Sequence, residues 1–356
     1  MKWLKKILSE IFIDGLSGMA TGLFSTLIVG TIIKQLGGLI PDSVGGWLVL
    51  IGSIASAATG VGIGVGVSVK LKSSPLVVVS AAVAGFVGAY AGQILNGAVV
   101  NGSVTTLTGP GEPMGAFVAS LVTVYVGRLV AGKTKVDILI TPLVTILCGS
   151  AVGLLLGPPI SAFMTMLGSL INVATQQQPL LMGILVSVLM GIILTLPISS
   201  AAIGVSLGLS GLAAGAATVG CCANMVGFAV ASYRENKLNG LLAQGLGTSM
   251  LQMPNIVRRP IIWLPAIVSS AILGPISTML FQMTNNPVGS GMGSAGLVGQ
   301  ITTFQTMTAE GGDPWLVLIK MIVIQFLLPA ALSLLCSELM RKWGWIRFGD
   351  MKLDVN

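Results

Sequence analysis

The chain is a succession of long apolar runs separated by short polar or glycine- and proline-rich breaks. From the N-terminus the runs cover about 11–34, 47–69, 75–98, 115–132, 138–156, 160–174, 180–196, 201–218, 219–233, 261–283 and 315–338. Most of them approach the ~20 residues that an α-helix needs to cross the hydrocarbon of a bilayer. The pattern therefore predicts an all-α polytopic membrane protein with about nine or ten transmembrane helices.

Two stretches break this pattern at membrane depth. Ile192-Ile-Leu-Thr-Leu-Pro-Ile-Ser-Ser-Ala-Ala-Ile-Gly204 is interrupted at Pro197 and continues through Ser199 and Ser200. About fifty residues on, Gly247-Thr-Ser-Met-Leu-Gln-Met-Pro-Asn255 interrupts a segment too short for two crossings. Backbone freed by a proline is tolerated in a membrane only inside protein or beside water. Both breaks therefore read as re-entrant hairpins, near 190–210 and 240–258, and paired breaks of this kind point to a transporter's binding site. The candidate solute-binding residues are Ser199, Ser200, Thr248, Ser249, Gln252 and Asn255, because neutral hydroxyls and amides hydrogen-bond a polar solute in either sense. Glu112, in the frame Gly109-Pro-Gly-Glu-Pro113, and Glu310 are further candidates, being acidic residues away from the basic clusters. Gly157-Pro158-Pro159 reads as a sharp turn, and Asn285–Pro314 as a long loop rich in Gly, Ser and Thr.

Composition agrees with the pattern: 54% of the 356 residues are hydrophobic, only 8% are charged, and mean hydropathy is +0.95. A net charge of +7 suggests nucleic acid in a soluble protein, but the basic residues here sit in short segments between apolar runs. Lys2/Lys5/Lys6, Lys70/Lys72, Arg128/Lys133/Lys135, Arg234/Lys237, Arg258/Arg259 and Arg341/Lys342/Arg347/Lys352 all lie on one side if the positive-inside rule holds. That places both termini in the cytoplasm, with the lipid bilayer as the chain's surroundings and no nucleic-acid partner. The first run reads as a membrane helix rather than a cleaved leader. The four cysteines lie in apolar stretches without metal spacing, and no histidine is present. No metal, cofactor or nucleophile–base constellation is therefore expected, and the chain is no enzyme by itself.

The order of motifs resembles the membrane-embedded IIC component of bacterial phosphotransferase-system sugar transporters, especially the fructose type. Ile140-Thr-Pro-Leu-Val-Thr-Ile146 followed by Leu156-Gly-Pro-Pro-Ile-Ser-Ala-Phe-Met164 is similar to the run that ends in that family's Gly-Pro-Pro-Ile-Ala-Ala signature. Leu196-Pro-Ile-Ser-Ser-Ala-Ala-Ile-Gly204 is similar to its first hairpin motif. Gly247–Pro254 falls where the family carries Ile-Thr-Glu-Gly-Ala-Ile-Pro. The chain departs from the family at Met250, which stands for the sugar-binding glutamate, at Ser199-Ser200, which replace an Asn-Lys pair, and at Asn286–Gly293, which stands near the place of a Pro-His-Gly-Gly motif. With these departures it resembles the divergent second IIC group, which includes proteins named as perfringolysin O regulators.

The resemblance implies a bacterial inner-membrane transporter of a small polar solute (sugar, polyol or related organic acid). It implies a homodimer with an elevator mechanism, N-terminal scaffold helices over 1–135 and a transport half over 136–356. Separate IIA and IIB proteins would be its partners in any phosphotransfer. The alternative reading is a membrane-embedded sensor or regulator that binds a ligand and signals through a partner.

Overall fold

A computed structural model describes residues 7–97, 100–101, 104–105, 107 and 109–353. The basic cluster Lys2/Lys5/Lys6 lies outside the described residues. The chain folds as two compact units, Met1–Phe163 and Met164–Asn356.

In the first unit, α1 (Ile7–Gly38) is followed by α2 (Ser43–Ala57) and α3 (Thr59–Lys70), which meet at a 51° bend. Next come α4 (Pro75–Ala89), α5 (Pro113–Val130) and α6 (Asp137–Thr175), the last of which begins in this unit. Prolines start α4 and α5, where a missing N–H costs nothing and the fixed φ already suits a helix. Small residues then decide the packing. A Cβ on Gly22 would run into the backbone carbonyl of Gly62, so α1 and α3 approach backbone to backbone, as membrane helices do when no water drives them together. The buried Tyr90 closes the unit's polar end, its hydroxyl donating to the carbonyls of Ala57 (3.0 Å) and Gly109 (2.6 Å). Between α4 and α5 the chain forms a two-residue antiparallel ladder, Val100–Asn101 with Val104–Thr105.

Gly157-Pro158-Pro159 does not turn the chain. Pro142, Pro158 and Pro159 all lie inside α6. In a membrane helix the carbonyls that proline frees are re-satisfied by neighbours and local adjustment, so the break that proline makes in a soluble helix is not obligatory.

The second unit is organised around α8 (Gly211–Ala231), an almost wholly buried helix packed by α7 (Pro179–Thr195), α10 (Pro260–Phe281) and α12 (Pro314–Lys342). Between α8 and α10 lies α9 (Tyr233–Leu242), followed by a π turn, a 3-10 turn and the short helix Met253–Arg258. Before α12 comes α11 (Val298–Ala309). The stretch Asn285–Pro314 is thus not an open loop. It holds the turn Pro287–Ser290 and α11, and Asn285, Ser290, Ser294 and Thr303 in it are all buried. Its glycines disguise a packed segment as a flexible one.

Among the described residues six helices are long and apolar enough to cross a membrane, or seven if α2 and α3 form one bent span. The shorter apolar helices α4 and α7 bring the candidates near the expected number. The chain is an all-α, multi-pass membrane protein.

Candidate functional site

Both breaks foreseen in the sequence are present, and the second unit brings them together. After α7 the chain leaves helical geometry at Leu196 and resumes in a helix at Ser200–Ser206. The second break opens at Thr248, whose extended backbone separates the π turn Ala243–Gly247 from the 3-10 turn Ser249–Gln252. Thr195 Oγ1 and Ser249 Oγ share a hydrogen bond of 2.7 Å, which joins the end of α7 directly to the second break. Thr248 caps its own turn by accepting from the Met250 amide at 3.2 Å. Ser199 is buried at the first break, and Ser200 beside it donates to the Gly291 carbonyl at 2.6 Å.

The bond to Gly291 introduces a third segment that the sequence reading left as a loop. Gly289–Gly296 threads between the breaks: Ser200 holds it at Gly291, and Ser294 Oγ donates to the Gly245 carbonyl at the other break. At Gly293 the backbone has φ +52° and lies against Cys221 and Cys222 of α8, a place where a side chain has neither room nor a relaxed conformation. The second break and the Gly289–Gly296 segment therefore both pack beside α8, and Ser200 ties the first break to that segment.

Gln252 and Asn255 take part in a different network. Gln252 Nε2 donates to Gln244 Oε1 (2.8 Å) and to the Met351 carbonyl (3.0 Å). Asn255 Nδ2 donates to Gln252 Oε1 and to the Lys352 carbonyl, each at 2.9 Å. Two candidates remain. Glu310 terminates α11 and accepts from the Thr284 hydroxyl at 2.6 Å. Glu112 belongs to the first unit, where it is the N-cap of α5.

The family profile described as Phosphotransferase system, EIIC matches residues 13–353. The chain belongs to the phosphotransferase-system EIIC family. Neither a search of curated proteins nor one of solved structures returns a match. As an EIIC protein the chain is the membrane transport component of a sugar-type system, not the catalyst of phosphotransfer.

This EIIC protein also carries polar residues at its site that the sequence reading passed over. Asn224, in the middle of α8, accepts from Trp263 Nε1 (2.9 Å) and Thr195 Oγ1 (3.3 Å) and donates to Ser270 Oγ (3.1 Å) and the Gly220 carbonyl (3.2 Å). On another side of α8, Asn285 donates to Thr218 Oγ1 (2.8 Å) and Thr303 Oγ1 (3.0 Å), and Gln325 donates to the same Thr303 oxygen at 3.2 Å. Asn224 sits alone in an apolar, small-residue stretch, and Gln325 in an apolar one. A buried amide at membrane depth was the available signal, since such groups are costly and face the interior of the protein. Among the described residues, the side chains bonded across the breaks are hydroxyls, the Asn224 carboxamide and the Trp263 indole, all uncharged.

Proposed function

We propose that this protein transports a small, neutral, hydroxyl-rich solute, a sugar or polyol, and binds it where the two breaks meet. The observation that carries the reading is the buried Thr195–Ser249 hydrogen bond, which joins two helix breaks of one membrane unit. Ser199, Ser200, Thr248 and Ser249 offer hydroxyls that can donate or accept, Asn224 adds an amide, and Trp263 an indole face of the kind on which sugar rings stack. Gln252 and Asn255 belong to a separate network at the second break, and we include their carboxamides in the proposed solute site as groups a sugar oxygen could claim from the tail carbonyls they now meet. With Met250 in place of a carboxylate, recognition rests on neutral hydrogen bonds, which favours an uncharged ligand.

The finer picture is also our proposal. The breaks form re-entrant hairpins in a bacterial inner membrane with both termini cytoplasmic. The second unit moves as an elevator against the first, and the protein works as a homodimer. The support is that the chain divides into two units, with the breaks confined to one of them. IIA and IIB partners would be needed only if the solute is phosphorylated, because the chain has no histidine to carry phosphate.

The test is uptake of radiolabelled sugars and polyols into proteoliposomes, beside a thermal-shift screen of the same compounds. A ligand at a hundredfold its dissociation constant stabilises by about 2.7 kcal/mol. Ser200→Leu and Ser249→Leu are expected to abolish the shift and cut uptake at least tenfold while the protein still purifies folded. Unaltered binding in both variants would remove the site. Binding without uptake would favour the sensor that signals through a partner.

A further inference from the structure

The C-terminal tail is bound to the second break by more polar contacts than a passive chain end requires. Beyond α12 the backbone turns at Gly344 and runs back over α9 and the helix Met253–Arg258. Asn236 grips it from both sides, donating through Nδ2 to the Met351 carbonyl and accepting through Oδ1 from the Leu353 amide, each at 2.8 Å. Gln252 and Asn255 donate to the carbonyls of Met351 and Lys352. Arg259 pairs with Asp350 at 3.2 Å and donates to the Trp345 carbonyl at the same distance. The Ile346 and Met351 side chains are buried, whereas Trp345, Arg347, Phe348 and Lys352 are exposed.

The chemistry of these contacts is unusual for a structural anchor. Two carboxamides on the second break, proposed above to face solute, are occupied by peptide carbonyls, which are neutral acceptors like the oxygens of a sugar. The tail is held by buried amides, one part-exposed ion pair, a bond from the Gly349 amide to Glu235 and two buried apolar side chains, Ile346 and Met351. Because the carbonyls that take the Gln252 and Asn255 amides are neutral acceptors, a neutral solute can take their place without stranding a charge there.

We propose that Trp345–Leu353 is a releasable strap that occupies the amide face of the second break in place of solute and holds that break still until the strap lifts. The proposal rests on Gln252 and Asn255 belonging to the solute face. With the strap seated for nine-tenths of the time, apparent solute affinity falls about tenfold, since only the open fraction is competent to bind.

The test is hydrogen exchange read by mass spectrometry on the whole chain in detergent, together with Asn236→Ala and a chain ending at Ile346. Asn236 lies outside the proposed solute site, so its variant loosens the tail without touching that site. In Asn236→Ala, exchange at 345–353 is expected to rise at least tenfold, and in the shortened chain exchange at 244–256 rises likewise. A synthetic peptide spanning Arg347–Asn356, added to the shortened chain, restores the protection. Fructose serves as the solute probe: it should speed exchange at 345–353 in the whole chain and bind the shortened chain about tenfold more tightly. The strap is overturned if the tail exchanges only together with the core of α8 in every variant, or if the peptide restores nothing. It is overturned equally if fructose binds both chains with the same affinity. If fructose binds neither chain, the solute reading fails for that sugar, and the peptide result alone decides the strap.

Discussion

At the scale of single residues, the second unit depends on a few buried polar groups that each hold several others in place. Asn224 serves four partners from the middle of α8, so shortening it leaves Trp263 Nε1, Thr195 and Ser270 short of a partner in a dry interior. An orphaned buried polar group costs about 1–3 kcal/mol, and Asn224→Ala is expected to lower the thermal unfolding midpoint accordingly. Glu235 and Arg341 make a second such case. Their side chains are 1% and 9% exposed, the two carboxylate oxygens lie 2.8 and 3.1 Å from one guanidinium nitrogen, and Arg341 also donates to the Ala231 carbonyl. Removing one partner strands a buried charge, at a cost of about 3–5 kcal/mol, whereas replacing both with apolar residues costs much less. Glu235→Leu should therefore destabilise the protein more than the double variant Glu235→Leu/Arg341→Met. Thermal unfolding of the three proteins checks this, and a simple additive loss would contradict it.

At the scale of elements, glycine sets how closely helices approach and proline does not always set where they end. Gly22 and Gly62 let α1 and α3 touch through their backbones, so Gly22→Leu must push the helices apart. Overpacking of this kind costs about 1–3 kcal/mol or more. The expected result is a lower unfolding midpoint with uptake reduced only in proportion to folded protein, since the substitution lies in the first unit and the breaks in the second. Pro158 and Pro159, by contrast, sit within a helix, because neighbouring groups and local adjustment of the turn can re-satisfy the carbonyls that a proline frees. The segment Gly289–Gly296 carries the same lesson in reverse. Its composition is that of a loop, yet Ser200 and Ser294 fasten it between two breaks.

At the scale of the whole molecule, the chain belongs to the family of membrane transport components of the phosphotransferase system, and our proposal is that it carries its solute without phosphorylating it. Polar hydroxyls and amides are buried in a unit clad in apolar helices, and there is no histidine to accept phosphate. The purified protein alone is therefore expected to equilibrate its solute across proteoliposomes and release it chemically unchanged. Chromatography of the internalised label checks this, and recovery of a phosphorylated product without added partner proteins would refute it.

The sequence by itself determined the membrane class, the helical architecture and the two breaks, because those follow from local rules. A run of about twenty apolar residues can only be buried in lipid or protein, and a proline amid serines cannot continue a regular helix unaided. Ser199, Ser200, Thr248 and Ser249 were legible for the same reason. The tertiary structure alone decided which polar groups meet. That Ser249 bonds Thr195, that Asn224 and Trp263 join them, and that the tail carbonyls of Met351 and Lys352 take the amides of Gln252 and Asn255, respectively, depends on contacts between positions up to about a hundred residues apart. A hydrogen bond's partner is fixed by distance and angle in space, and those are set only once the helices have packed.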